Sequence, residues 1–301
     1  MKAVVLPAYG EADRLELRDI AEPVPGPGEI KVRVAAASLN PIDWKLRSGT
    51  YQKYMPLELP AVLGRDASGE VVAVGPGVSA PRVGARVLGV VKQAHAEYVV
   101  APADAWAELP AGLDLVAAAA LPLVLVTGAQ LVEEAADVRE GQTVLVTGAT
   151  GAVGRVAVFV AKGRGATVYA GVRAAHVAEA SKLGAHSVVA LDDDQQLAAL
   201  PPLDVLADTV GGETTQKLLG KLKPGARIGS VVGEPAGAKE RGFVVHAFLA
   251  HPDGKRLGEL AAAVATGKLV IPIAKRFPLA EAAAAHKLAE KGGVGKVLLT
   301  T

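Results

Sequence analysis

The stretch Thr143-Val-Leu-Val-Thr-Gly-Ala-Thr-Gly-Ala-Val-Gly-Arg-Val-Ala-Val-Phe-Val-Ala-Lys162 decides the fold. A short apolar run meets three glycines spaced by three, and an apolar helical pattern follows. Thr143 to Val146 read as a buried parallel strand, Gly148, Gly151 and Gly154 as the turn, and Val153 to Lys162 as the start of the returning helix. Gly148 permits the tight strand exit, Gly151 lets backbone approach a pyrophosphate, and Gly154 lets the helix pack closely on the strand. The helix N-terminus turns free N–H groups toward an anion. Thr150, Ala152 and Val153 join the glycines as candidate contacts. A bare glycine triplet also suits an ordinary turn; the order strand, triplet, helix favours a dinucleotide site.

Position refines the reading. A similar Thr-Gly-x-x-Gly-x-x-Gly opens the short-chain reductases, but at the N-terminus and followed by a Tyr-x-x-x-Lys pair. Here about 140 residues precede the fingerprint, room for a further domain. None of Tyr9, Tyr51, Tyr54, Tyr98 and Tyr169 has lysine four residues on.

A chain of 301 residues that is 50% hydrophobic can bury a large core, and two domains are expected. The net charge of +1, spread over scattered Lys and Arg, asks for neither nucleic acid nor an anionic membrane. The apolar start of Met1–Glu11 is too short for a signal peptide, which points to a cytoplasmic protein. Val116 to Val132 is apolar but interrupted by Pro122, Thr127, Gly128 and Gln130, and reads as a buried helix rather than a membrane span. Cysteine is absent, which excludes disulfides, thiolate nucleophiles and cysteine-ligated zinc.

Lys2 to Leu6, Leu15 to Asp19, Glu29 to Ala37, Gly69 to Gly75, Gly84 to Gly89 and Ala96 to Val100 are β-rich runs broken by turn clusters, with a boundary at Leu109-Pro-Ala-Gly112. Beyond it, helical segments alternate with strands at Thr143–Val146, Thr167–Val172, Ser187–Leu191, Val205–Asp208, Ala226–Val232 and Gly242–His246, the mark of a doubly wound parallel sheet. The tail offers a helix around Arg256–Thr266, a strand at Leu269–Ile273, a helix from Leu279 to Lys291 and a strand at Lys296–Leu299. The fold class is therefore α/β, with a β-rich domain at 1–112, a Rossmann domain at 113–249 and a return to the first domain at 250–301.

Ala37-Ser-Leu-Asn-Pro-Ile-Asp43, Arg47-Ser-Gly-Thr-Tyr51, Leu63-Gly-Arg-Asp-Ala-Ser-Gly-Glu-Val71, Gly75-Pro-Gly-Val78, the Gly148 fingerprint, Asp208-Thr-Val-Gly211 and Gly295-Lys-Val-Leu-Leu299 occur in that order. Together they resemble the zinc-free quinone oxidoreductase branch of the medium-chain dehydrogenase/reductase superfamily, related to ζ-crystallin, over nearly the whole chain. The resemblance implies a GroES-like β domain, an inserted Rossmann domain and a cofactor in the cleft between them. It implies a homodimer joined edge to edge through the Rossmann sheet, near Gly242–Phe248. Zinc-using relatives carry a histidine where Arg65 stands, and no metal ligands are expected: His95, His176, His186, His246, His251 and His286 show no His-x-x-x-His pairing.

NAD-binding Rossmann domains place an acidic residue about 20 positions past the fingerprint, on the ribose 2′-OH. Here Tyr169-Ala-Gly-Val-Arg-Ala-Ala-His176 offers none. Arg173 stands where a 2′-phosphate would lie and His176 falls at a basic family position, which favours NADPH. Arg173 on a solvated helix start is the plainer alternative. Lys291 is a weaker candidate for the same phosphate. The resemblance adds Thr127, Val210, Ser230 and Val231 as cofactor contacts.

Asn40, Asp43 and Tyr51 lie on the loop that lines the nicotinamide and substrate site in the family. Asn40 is the only asparagine of the chain, so a site needing both donor and acceptor and a local Asx-turn before Pro41 are both open readings. Asp43 as a turn cap and Tyr51 as a loop aromatic are likewise open. The family often has tyrosine at the Lys45 position. The implied activity is NADPH-dependent reduction of a quinone without metal, with enone or 2-alkenal reduction as the enzymatic alternative and non-catalytic NADPH binding as the alternative of another kind.

Overall fold

The computed structural model describes residues 1–293 and 295–301. The chain divides into two compact units, Met1–Leu123 with His251–Thr301, and Val124–Ala250, so residues 113–123 lie with the first unit rather than with the second. In chain order the first unit supplies β1 (Lys2–Leu6), β2 (Glu16–Asp19), β3 (Glu29–Ser38), β4 (Ala61–Val62), β5 (Asp66–Val74), β6 (Arg86–Val90), β7 (Tyr98–Pro102) and β8 (Trp106–Glu108). The second supplies β9 (Thr143–Thr147), β10 (Thr167–Val172), β11 (Ser187–Ala190), β12 (Leu203–Asp208), β13 (Leu222–Ser230) and β14 (Val244–Ala247), and the chain then returns to the first with β15 (Ile273–Pro278) and β16 (Lys296–Thr300).

In the first unit, β2, β1 and β4 form a small antiparallel sheet, and a larger sheet runs in the order β15-β16-β3-β5-β6-β8, with β7 also paired to β3. Alternation along β3 buries Ile30, Val32, Val34 and Ala36, and the first three pack with Ala67, Val71, Val87 and Trp106 from its neighbours. The sheet extends from β3 through β16, whose Leu298, Leu299 and Thr300 pair with Ser38, Ala37 and Ala36.

The second unit is a six-stranded parallel sheet in the order β11-β10-β9-β12-β13-β14. Its first strand, β9, is central, so the winding reverses between β9 and β12. Open α/β sheets bind ligands at the strand ends of such a point.

Three local readings need correction. The strand expected at Leu269–Ile273 lies further on, at Ile273–Pro278: Pro272 has no N–H to give a ladder, and pairing starts after it, with the Lys296 N–H on the Pro272 carbonyl at 2.9 Å. The expected loop at Asn40–Asp43 opens a helix, Pro41–Arg47, with proline preset for the first turn. The expected helix Val116–Val132 is broken into Leu115–Ala118 and Pro122–Gln130, followed by a π-turn over Leu131–Ala135. By length and composition Leu115–Ala135 suffices to cross a membrane, yet its apolar window is 72% buried, as in a core helix.

Candidate functional site: a nucleotide cradle and a buried polar cluster

The fingerprint builds its turn as its glycines require. Gly148 has φ +61°, and a Cβ there would lie 2.5 Å from Thr209 Oγ1; at Gly154 one would lie 2.1 Å from the Gly148 carbonyl oxygen. The helix Ala152–Gly163 therefore seats directly against the strand exit. Its first bond joins Arg155 N–H to the Gly151 carbonyl at 2.9 Å, so the N–H groups of Ala152, Val153 and Gly154 precede the internal ladder.

Across the switch point, fully buried Asp208 ends β12. It accepts from the Thr147 hydroxyl at 2.7 Å, from the N–H groups of Val210 and Gly211 at 3.1 Å each, and from the Thr215 hydroxyl at 2.8 Å. The Thr147 hydroxyl oxygen in turn accepts from Thr209 N–H. The loop bearing half-exposed Val210 is thus tied to the end of β9. Ser230, buried at the end of β13, accepts from Val232 N–H at 3.2 Å, and Val231 N–H donates to the Asp208 carbonyl at 3.1 Å. The structure therefore brings Gly148, Thr150, Gly151, Ala152, Val153, Gly154, Val210, Ser230 and Val231 to adjacent strand ends of one sheet. A turn that backbone can approach, at a helix N-terminus, fits a dinucleotide pyrophosphate.

Arg173 follows β10 and is exposed, with half-exposed His176 a turn later. The Asp192 carboxylate fastens this segment by accepting Ala174 N–H at 2.7 Å. Arg155, which sequence reasoning passed over, pins it to the cradle: its Nε donates to the Thr150 carbonyl at 2.8 Å and its Nη2 to Glu179. Glu179 also stands 3.8 Å from His176 Nδ1. Thr127 sits half-buried on the helix Pro122–Gln130.

In the first unit, Asn40 caps the helix Pro41–Arg47, and its backbone N–H donates to Asp43 Oδ2 at 2.8 Å. Its side chain, 2% exposed, faces inward. Asn40 Nδ2 donates to Asp66 Oδ2 at 2.7 Å, and Lys296 Nζ donates to Asn40 Oδ1 at 2.6 Å. Asp66 also accepts from the Ser38 hydroxyl and from Leu123 N–H, each at 2.5 Å, and lies 3.4 Å from Lys296 Nζ, which donates to the Leu39 carbonyl at 3.1 Å.

Burial pushes the Asp43 carboxyl up to about 7; the Asn40 N–H opposes this, Asp66 adds to it, and the charges of Lys296 and Arg65 oppose it. Burial likewise pulls the Lys296 ammonium below its ordinary range, against the pull of Asp66 and Asp43. Asp43 Oδ1 and Arg65 Nε are buried without a hydrogen-bond partner. Behind this cluster His95 and His286 stack edge to face at 5.7 Å, with burial holding His95 at about 4 and His286 well below the usual histidine range.

Asn40 and Asp43 are thus brought together. The Tyr51 hydroxyl accepts from Lys45 Nζ at 3.2 Å, and Lys291 is exposed at the end of the helix Ala282–Glu290. Sequence reasoning did not single out Asp66 or Lys296 as site residues. The available signal was a charge set inside an apolar strand pattern, Lys296-Val-Leu-Leu299, and another opening β5. Among the described residues no group of three or more His, Cys, Asp or Glu side chains is arranged to hold a metal ion.

Residues 26–111 match the family described as the alcohol dehydrogenase GroES-like domain, and residues 183–299 the one described as zinc-binding dehydrogenase. A 2-haloacrylate reductase from Burkholderia sp is 31% identical over 99% of this chain and 98% of its own length. The quinone oxidoreductase from Coxiella burnetii superposes with a TM-score of 0.89 at 33% identity, over 100% of this chain and 99% of that one. A mycobacterial protein solved in complex with NADPH gives a TM-score of 0.84 at 30% identity, over 100% of both chains. The chain belongs to the medium-chain dehydrogenase/reductase superfamily, in its zinc-free quinone oxidoreductase branch.

Proposed function

We propose that the chain is an NADPH-dependent quinone oxidoreductase that works without metal. The observation that carries this reading is the cluster in the first unit. Where zinc-using relatives hold ligands, this chain sets an amide between two buried charges, Asn40 between Asp66 and Lys296, with Arg65 at the histidine position. Such an arrangement suits support of a developing oxyanion better than ligation of a soft metal.

Bound NADPH supplies the hydride. The N–H groups of Ala152, Val153 and Gly154 hold the pyrophosphate against Gly148, Thr150 and Gly151, and Arg173 and His176 take the 2′-phosphate, with Lys291 a further candidate. Thr127, Val210, Ser230 and Val231 complete the cofactor contacts. Asn40 donates to the acceptor oxygen as charge grows there, Asp43 keeps a proton near neutral pH, and the Tyr51 hydroxyl orients the acceptor. A quinone takes up the hydride and one proton from water or a nearby hydroxyl, and leaves as the hydroquinone.

A second reading is favoured by the 2-haloacrylate reductase relative. Here the same apparatus reduces an α,β-unsaturated carbonyl, with the hydride on the β-carbon and a proton on the α-carbon. A screen of NADPH oxidation with quinones, enones and aldehydes separates the two. Tight NADPH binding with every acceptor unreduced indicates a non-catalytic binding protein instead. The proposal extends to a cytoplasmic homodimer paired through β14, an edge strand whose Val244 is 48% exposed and is followed by Leu249 at 61%.

A further inference from the structure

A side-chain amide has two ends of opposite character, and turning it over exchanges a donor for an acceptor. At Asn40 both ends are held by full charges. The Lys296 ammonium, 5% exposed, sits 2.6 Å from Oδ1, and the Asp66 carboxylate, 0% exposed, sits 2.7 Å from Nδ2. In the reversed orientation the amide NH2 would face the ammonium and its oxygen the carboxylate, so two attractive contacts would become repulsive together. These contacts are strong because both partners are charged and removed from water.

Only one hydrogen of Nδ2 is used in this way. The other has the Ser38 carbonyl at 3.5 Å, the outer limit of a hydrogen bond, and so keeps capacity for an incoming oxygen. The ammonium on Oδ1 also draws electron density along the amide and strengthens that remaining N–H as a donor.

We propose that Lys296, acting with Asp66, is a positioning residue that locks the Asn40 amide in one orientation and polarises it, so that its second N–H, held only by the long Ser38 contact, is offered to the acceptor as a donor. This rests on the oxidoreductase reading above in assigning the N–H to an acceptor oxygen. The locking of the amide does not. Lys296 reaches Asn40 across 256 residues of sequence because β16 pairs with the end of β3, which leads directly into Asn40. The Lys296 Nζ bond to the Leu39 carbonyl anchors the ammonium at that junction.

The sole asparagine of the chain makes the test direct. Protein grown with isotopically labelled asparagine shows one side-chain NH2 pair by NMR. In the wild type we expect two well-separated proton resonances with slow solvent exchange; in Lys296→Met, converging resonances and faster exchange. Removing the ammonium alone leaves Asp66 buried without its counter-charge and endangers folding. The paired variant Lys296→Met/Asp66→Leu removes both charges without adding a second asparagine and carries the same expectation, while Lys296→Arg keeps the charge and should restore part of the separation.

With whichever acceptor the wild type reduces, kcat in the paired variant should fall roughly tenfold to a hundredfold, the scale felt when an outer partner of a reacting group is removed in metal sites. NADPH affinity should stay within about twofold. In an Asn40→Ala background the same changes should cost no further kcat, although their effects on stability persist. A folded paired variant whose Asn40 resonances match the wild type would overturn the locking. Unchanged resonances with kcat losses that simply add to that of Asn40→Ala would assign Lys296 to folding alone. If the wild type reduces no acceptor, the oxidoreductase reading fails, and the NMR comparison still decides the locking.

Discussion

The Thr147 hydroxyl donates to Asp208 Oδ1 at 2.7 Å, joining the ends of β9 and β12 where the parallel sheet changes its direction of winding. The same carboxylate receives the N–H groups of Val210 and Gly211 and the Thr215 hydroxyl, so one buried side chain organises the loop beside the glycine turn. Asp208→Ala should lower stability by about 3 kcal/mol or more, since several buried donors lose a charged acceptor. It should also weaken NADPH by disordering Val210 and Gly211. Denaturant unfolding and cofactor titration measure the two effects; an intact titration beside lost stability would separate the loop from the cofactor.

For Arg173→Ala the expected outcome is weaker NADPH with NADH spared. A charge-assisted contact to the 2′-phosphate contributes about 1.5 to 3 kcal/mol, roughly tenfold to a hundredfold in affinity. Titration of both cofactors against wild type and variant decides this. Equal losses for both would move Arg173 to the shared adenosine or to folding.

Asp43 ionises near 7 when folded and near 3.8 when exposed, so the folded state holds its proton more tightly. Its contribution to stability is full at low pH and is lost as pH rises through about 7, on the order of 4 kcal/mol in all. Buried His95 and His286 act in the opposite sense: their folded values lie below 6.5, so they favour folding as pH rises and lose that contribution on acidification. Comparing wild type with Asp43→Asn cancels the histidines. The wild-type protein should hold its greatest relative advantage below about pH 4 and lose it progressively up to about pH 7. Parallel stability curves would show that Asp43 does not titrate in this window.

Incubation with a strong chelator, followed by elemental analysis, should leave turnover unchanged. The expectation rests on the absence of cysteine and on Arg65 at the position where zinc-using relatives keep histidine. Stoichiometric zinc whose removal abolishes activity would contradict it.

Sedimentation at micromolar concentration should show a dimer, and Val244→Lys should shift it toward monomer by placing charge on the β14 edge. A wild-type monomer would end the edge-pairing proposal.

The cradle was readable in the sequence because its determinants are largely local: strand, glycine turn and helix lie within Thr143–Lys162, and Gly151 and Gly154 both answer to Gly148 a few residues away, although Gly148 itself meets Thr209. The alternation of strands and helices in the second unit was legible for the same reason. The buried polar cluster of the first unit was less so. Asn40 and Asp43 were marked, but their partners Asp66 and Lys296 arrive from other strands, and a charge is recognised as buried only once its counter-charge is placed. The misplaced strand at Leu269–Ile273 followed apolar content past Pro272, where the lost N–H outweighs side-chain preference.

Because β16 completes the sheet that β3 begins, the order of synthesis becomes part of how this protein folds. On the ribosome the whole Val124–Ala250 unit is made as one continuous piece and is free to fold while translation continues. The surrounding unit must wait. Until Lys296 emerges, the Asp66 carboxylate has no ammonium beside it and the end of the nascent β3 has an open edge, so the arrival of β16 delivers both the missing strand and the missing charge.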